Sequence, residues 1–103
     1  MSVRWMRSAQ ISRGRLPEGL AWAKEVSSYV EKKFNLPAIE VYMDSFGDVG
    51  TVRWMMDFPD LNAVEGAFAK TMADGDYWKL LEKAAKTELF IDGSIHDTVC
   101  RKI

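Results

Sequence analysis

Apolar side chains recur at every second position in several stretches of this chain, and at every third or fourth position in between. The order of those two periods constrains the fold more than any single residue. Period two marks a strand half-buried in a sheet, and period 3.6 marks an amphipathic helix. In residues 3–12, Val3, Trp5, Ala9 and Ile11 fall on one side and Arg4, Met6, Ser8, Gln10 and Ser12 on the other, with Arg7 breaking the apolar side. In residues 39–46, Ile39, Val41 and Met43 oppose Glu40, Tyr42, Asp44 and Phe46. In residues 51–58, Val52, Trp54, Met56 and Phe58 oppose Thr51, Arg53, Met55 and Asp57. Gly47-Asp48-Val49-Gly50 is a turn by composition, so these two runs read as a β-hairpin. Residues 94–103 alternate once more, with Ile95, Asp97, Val99, Arg101 and Ile103 opposite Ser94, His96, Thr98, Cys100 and Lys102.

Helical spacing fills the gaps. After the loop Arg13-Gly14-Arg15, Pro17 suits a first helical turn, and Leu20, Ala23, Ser27, Val30 and Phe34 share a face. Glu18 and Glu25 come early and Lys32 and Lys33 late, which complements the helix dipole; Asn35 and Pro37 end the helix near Phe34. Beyond Pro59-Asp60, Asn62 and Glu65 have capping-box spacing, and Leu61, Val64, Phe68 and Met72 line up. Asp74-Gly75-Asp76 interrupts, with Asp74 or Asp76 as cap of a further helix over residues 77–86 that carries Trp78, Leu81 and Ala85.

The resulting order, β-α-β-β-α-β, predicts an α+β, ferredoxin-like fold: a four-stranded antiparallel sheet with helices on one face and spatial strand order 4-1-3-2. The more apolar sheet face, with Trp5, Val41 and Trp54, is expected against the helices. The other face mixes charge with Met6, Tyr42 and Met55, a composition suited to closing against a second copy of itself.

Composition narrows function by exclusion. The 103 residues fit one domain, 1–103, and 48% hydrophobic with 28% charged residues reads as a folded chain. Fourteen Lys and Arg against 15 Asp and Glu give a net charge of −1, a poor basis for nucleic-acid binding. No stretch approaches the roughly 18 apolar residues that span a bilayer, so no membrane partner is expected. Cys100 is the only cysteine, which forbids an internal disulfide, and with His96 as the only histidine no structural zinc site fits. Dinucleotide, Walker-type and nucleophile-elbow motifs are absent, and no cofactor is expected. Met1-Ser2-Val3-Arg4-Trp5-Met6-Arg7 lacks the pattern of a signal peptide, which favours the cytoplasm.

Three features carry a family resemblance over most of the chain: its length, Gly50-Thr51-Val52-Arg53-Trp54 leading into Phe58-Pro59-Asp60-Leu61, and Glu88-Leu89-Phe90-Ile91-Asp92-Gly93-Ser94 before the last strand. The sequence resembles the dimeric α/β-barrel superfamily, with its NIPSNAP-like and antibiotic-biosynthesis-monooxygenase-like domains. That resemblance implies a homodimer, with a pocket between each sheet and its helices or inside the joint barrel. Members range from cofactor-free oxygenases and cyclases to haem-degrading enzymes and proteins of unknown function, and fold does not choose among them.

Most candidate site residues lie on the polar sheet face. His96 is available as a general base or axial haem ligand. Arg53 beside Asp57, with Tyr42 between Glu40 and Asp44, reads either as cross-strand ion pairing or as a pocket where Arg53 binds substrate and a carboxylate moves a proton. We take His96, Asp57 and Tyr42 as candidate catalytic residues, and Arg53, Trp54 and Met55 as candidate substrate contacts. Trp5, Trp22, Trp54 and Trp78 are mostly core material, some of it suited to a cavity for a flat hydrophobic ligand, with Tyr77 and Trp78 beside a gate at the Asp74 break. The expectation is a homodimer that binds a small, largely apolar organic molecule, as a cofactor-independent monooxygenase, isomerase or cyclase; the alternative is a non-enzymatic binding or scaffold module.

Overall fold

A computed structural model describes residues 2–103; Met1, the first residue of the segment read above for a leader, lies outside them. Along the chain run β1 (Val3–Gln10), α1 (Leu16–Phe34), β2 (Glu40–Met43), β3 (Thr51–Phe58), α2 (Leu61–Met72), α3 (Gly75–Lys86) and β4 (His96–Arg101). The strands form one antiparallel sheet in the order β2-β3-β1-β4. This is the expected ferredoxin-like α+β topology, and the sheet of the single chain is open, not a closed barrel.

Alternation decided the faces because one side of each pleat had to find cover. Val3, Trp5, Ala9, Val52, Trp54, Met56 and Phe58 are buried under the helices, together with Trp22, Ala23, Val26 and Val30 of α1. Each of the larger side chains among them contributes on the order of 1.5–3 kcal/mol through burial. Helix α1 approaches the residue after β1 closely at Gly19, where an added Cβ would come within 2.7 Å of Ile11 Cγ2. A glycine is thus favoured there by space and not by backbone conformation.

Several boundaries differ from the sequence reading. Strand β2 stops at Met43 although its alternation continues to Phe46, because Gly47 and Gly50, both at φ +93°, turn the chain away. The last ladder-like bond beyond it runs from Asp44 N to Thr51 O, 2.9 Å. At β4, Ser94 is used for a turn instead of a ladder: its Oγ donates to Ile91 O (2.6 Å) and accepts from Gln10 N (3.1 Å). The capping box at Asn62 and Glu65 is not the helix start. Asp60, with extended backbone, caps α2 by accepting from Ala63 N at 2.9 Å, so Asn62 already lies inside the helix. Asp74 is the α3 cap, accepting from Tyr77 N at 3.0 Å.

Candidate functional site

The register brings three of the expected site residues into one row. Tyr42 stands opposite Arg53, Arg53 opposite Ser8, and Ser8 opposite His96, all on the face away from the helices. Neighbouring strands lie about 4.8 Å apart, so His96 is about 10 Å from Arg53, two strands away. In the next row Met55 faces Met6 on one side and Glu40 on the other.

Ion pairs on this face differ from the expected pairing of Arg53 with Asp57. Arg53 makes a two-pronged contact with Asp44, Nε to Oδ1 2.8 Å and the second nitrogen to Oδ2 3.0 Å. Asp57 belongs to Arg4, directly opposite it across β1, at 2.8 and 3.1 Å. Tyr42 Oη donates to Glu40 at 2.9 Å. The hydrogen bond from Arg53 holds the Asp44 carboxyl below the usual carboxylate range, and that from Arg4 does the same for Asp57. Glu40 pushes the Tyr42 phenol up. A base that is to take a proton near neutral pH needs the opposite shift, so Asp57 is here built as a permanent anion. The His96 backbone pairs with Ser8 in the sheet, and its imidazole makes no hydrogen bond to any of the described residues.

Trp54 points the other way, as a strand neighbour of Arg53 must. It lines a cavity of ≈ 90 Å³ between sheet and helices, with Trp5, Trp22, Phe68, Tyr77 and Leu81. Aromatic rings build the wall edge to face: Trp5 on Phe68 at 5.7 Å, and Trp22 on Trp54 at 6.3 Å. A wider groove of ≈ 610 Å³ adjoins it, shares Arg7, Trp22, Trp54 and Leu81, and runs under α3 to Phe90 and Ile95.

Polar groups in the cavity are few, and most are spoken for. Ser27 Oγ donates to Lys24 O and Thr71 Oγ1 to Ala67 O, within their own helices. The indole N–H of Trp22 donates to Leu80 O at 2.9 Å, and that of Trp54 to Ala23 O at 3.2 Å. Trp5 breaks the pattern: it is 8% exposed, and its Nε1 has no hydrogen-bond partner among the described residues.

Arg7 is the charged group at this site. It stands on the helix side of β1, opposite Trp54 and Asp97. Its Nε donates to Asp97 Oδ1 at 2.7 Å and one terminal nitrogen to Oδ2 at 2.8 Å, while the other terminal nitrogen reaches Tyr77 Oη at 3.5 Å. The guanidinium carbon lies 5.4 Å from the Trp5 ring centroid, within cation–π range. The hydrogen bond from Asp97 raises the Arg7 pKa against the opposing effect of burial, so the cation is secure. Trp78 is half-exposed and donates its indole N–H to Met72 O at 2.8 Å, across the α2–α3 break.

Of the six expected site residues, then, Trp54 faces the cavity and His96, Asp57, Tyr42, Arg53 and Met55 lie on the opposite face. Arg7 and Asp97 were missed as site residues. The signal was present, since each is a charged residue at a helix-facing position of an alternating strand. Among the described residues no cluster of His, Cys, Asp and Glu is arranged to hold a metal ion, and no helix is long and apolar enough to cross a membrane.

No protein-family model matches the chain, and no curated protein matches it. Solved structures do. A NIPSNAP family protein from Agrobacterium tumefaciens superposes with a TM-score of 0.82 at 14% identity, covering 100% of this chain and 94% of that one. A NIPSNAP-like domain protein from Burkholderia xenovorans gives 0.81 at 11% identity, covering 99% and 85%. SnoaB, a cofactor-independent oxygenase from Streptomyces nogalater, gives 0.68 at 10% identity, covering 98% and 92%. At such identities the likeness establishes architecture: this chain has the ferredoxin-like fold of the NIPSNAP and antibiotic-biosynthesis-monooxygenase structures, in agreement with the resemblance read from its sequence.

Proposed function

We propose that this protein binds a small, largely apolar organic molecule in the cavity between its sheet and its helices, and that it does so as a homodimer closed through the opposite sheet face. The observation that carries the reading is the cavity itself. It is walled by Trp5, Trp22 and Trp54, holds a charged group in Arg7, and adjoins a groove wide enough to admit a ring. The likeness to a cofactor-independent oxygenase supports monooxygenase, isomerase or cyclase chemistry on such a molecule.

One observation favours the non-enzymatic alternative. No carboxylate or imidazole lines the cavity among the described residues. Proton transfer by His96 or Asp57 would therefore need a ligand on the other face, inside the joint barrel. The test is a titration with toluene, followed by the indole N–H signals in a nitrogen–proton correlation spectrum. Saturable shifts of the Trp22 and Trp54 signals, lost in Ser27→Leu where the longer side chain fills the cavity, support the reading. Toluene that leaves those signals unmoved up to its solubility would sink it.

A further inference from the structure

We propose that the free edge of β4 pairs with the β4 edge of a second copy, antiparallel and with Val99 on the twofold axis, so that two sheets join into one. This goes beyond the cavity reading and does not rest on it. The backbone is the first support. Strand β4 pairs with β1 on one side, and the sheet order leaves its other side open. Lys102 N donates to Ser2 O at 3.0 Å, one step in register past Arg101 and Val3. The alternation of an antiparallel ladder then turns the N–H and C=O of Cys100, Thr98 and His96 towards β1. Those of Asp97, Val99 and Arg101 point outward, an unpaired row that is a template for another strand. The opposite edge is better protected, because β2 has only four residues and packs against α1.

Side chains then select the occupant and the register. Asp97, Val99 and Arg101 stand beside Arg7, Trp5 and Val3 on the helix side of the sheet, yet all of β4 is exposed. With their neighbours they present the row Ile95, Asp97, Val99, Arg101, Ile103, in which Ile95 is 57% and Val99 44% exposed. Reversed against itself about Val99, this row matches at every step: valine meets valine, Asp97 meets Arg101, and Ile95 meets Ile103. The other registers that join outward groups fit worse. Centring on Asp97 or Arg101 sets like charges face to face, and centring on Thr98 or Cys100 sets charge against apolar side chains. Arg101 makes no ion pair or side-chain hydrogen bond with any of the described residues. Each Asp97 oxygen accepts once from Arg7 and retains a lone pair for Arg101 of the second copy. The edge axis runs perpendicular to the sheet, and that of the face contact proposed above lies along it, the relation that a closed four-chain assembly requires.

The experiment is a disulfide that only this register forms. Thr98 comes opposite Cys100 of the second copy, a pair outside the hydrogen-bonded rungs with Cα atoms about 4.5 Å apart, within disulfide reach. Cys100 and its own copy stand about 8 Å apart, beyond that reach. Thr98→Cys/Cys100→Ser is mixed with the wild-type chain and oxidised with diamide, at about 0.5 mM total protein because one strand edge is a small and therefore weak contact. Crosslinked pairs are expected to form at least about fivefold faster in the mixture than in either protein alone, since pairing holds the two sulfurs together. Arg101→Glu in both partners should abolish that excess by setting a carboxylate against Asp97, while Arg101→Lys should keep it. Met55→Glu in both partners, a change on the opposite sheet face, should leave it intact. No excess in the mixture overturns the proposal. An excess unaffected by Arg101→Glu overturns it as well. So does an excess lost in Met55→Glu, which would place the crosslink in the face contact.

Discussion

Arg7 and Asp97 face each other across β1 and β4, with Nε 2.7 Å from Oδ1, on the side of the sheet otherwise given to the core. Their side chains keep only 25% and 35% of their exposure, so this pair sits between the surface and buried classes of ion pair. Exposed pairs contribute up to about 1 kcal/mol, and breaking a fully buried one costs about 3–5 kcal/mol. We expect Asp97→Ala to destabilise the fold by about 1–2 kcal/mol in urea unfolding, by leaving a partly buried cation beside Trp5. Replacing both partners, Arg7→Leu with Asp97→Val, should recover most of that loss. A single-variant loss under about 0.3 kcal/mol would mean that solvent screens the pair fully.

Gly19 gives a sharper test of packing. In an open helix, glycine to alanine stabilises by about 1 kcal/mol. Here the new Cβ would meet three atoms of Ile11 at 2.7–2.8 Å, and Ile11 is itself buried. Overpacking of this kind costs about 1–3 kcal/mol, so Gly19→Ala is expected to be neutral to destabilising by about 2 kcal/mol. Gly19→Ala combined with Ile11→Val should be less damaging than the sum of the two changes. Strict additivity in a double-mutant cycle would contradict the contact.

Tyr29 and Asp74 tie α1 to the start of α3, with Oη 2.5 Å from Oδ2. The hydrogen bond to Asp74 pushes the Tyr29 phenol up to about 12, and the same bond holds the Asp74 carboxyl below its usual range. The two shifts act at opposite ends of the pH scale. A raised phenol pKa gives stability that is complete below about 10 and lost as pH rises towards 12, because the unfolded chain gives up its proton first. A lowered carboxyl pKa gives stability present above about 4 and lost as pH falls through the folded value. Absorbance titration at alkaline pH should therefore show a phenol titrating at about 12, absent in Tyr29→Phe, and that variant should lose part of the alkaline slope of stability. A wild-type protein whose tyrosines all titrate near 10 would contradict the tie.

How much was legible beforehand follows from what each feature depends on. Strand β3 was readable to the residue because Val52, Trp54, Met56 and Phe58 are all buried and period two leaves no other register. The start of α2 was misplaced by two residues, since Asp60 and Asn62 are both competent caps and only backbone conformation chooses between them. Face assignment followed from alternation, and with it the separation of Trp54 from Arg53 and Met55. What alternation cannot carry is partner choice across strands: Arg53 had Asp44 and Asp57 on its own face, and the hairpin geometry after Met43 selected Asp44. Nor could it reveal that Trp5 lacks an acceptor which Trp22 and Trp54 have, because those acceptors are carbonyls of distant helical residues.

The open face yields the last test, which separates the two sides of the sheet. Met6 and Met55 stand opposite each other there, each half-buried, flanked by the Arg4–Asp57 and Arg53–Asp44 pairs. Saturated ion pairs around an apolar centre suit a twofold contact, where each copy meets its own patch. Light scattering should give a mass near twice 11.7 kDa for the wild-type chain. Met55→Glu would bring like charges together about the axis with two donors of Arg53 already given to Asp44, and is expected to halve that mass. Because Met55 and Arg53 point away from the cavity, Met55→Glu and Arg53→Ala should both keep toluene binding within about threefold, a change of under about 1 kcal/mol. Loss of binding in step with loss of the dimer would mean instead that the ligand sits between the two sheets, and would return His96, Asp57 and Tyr42 to the centre of the chemistry.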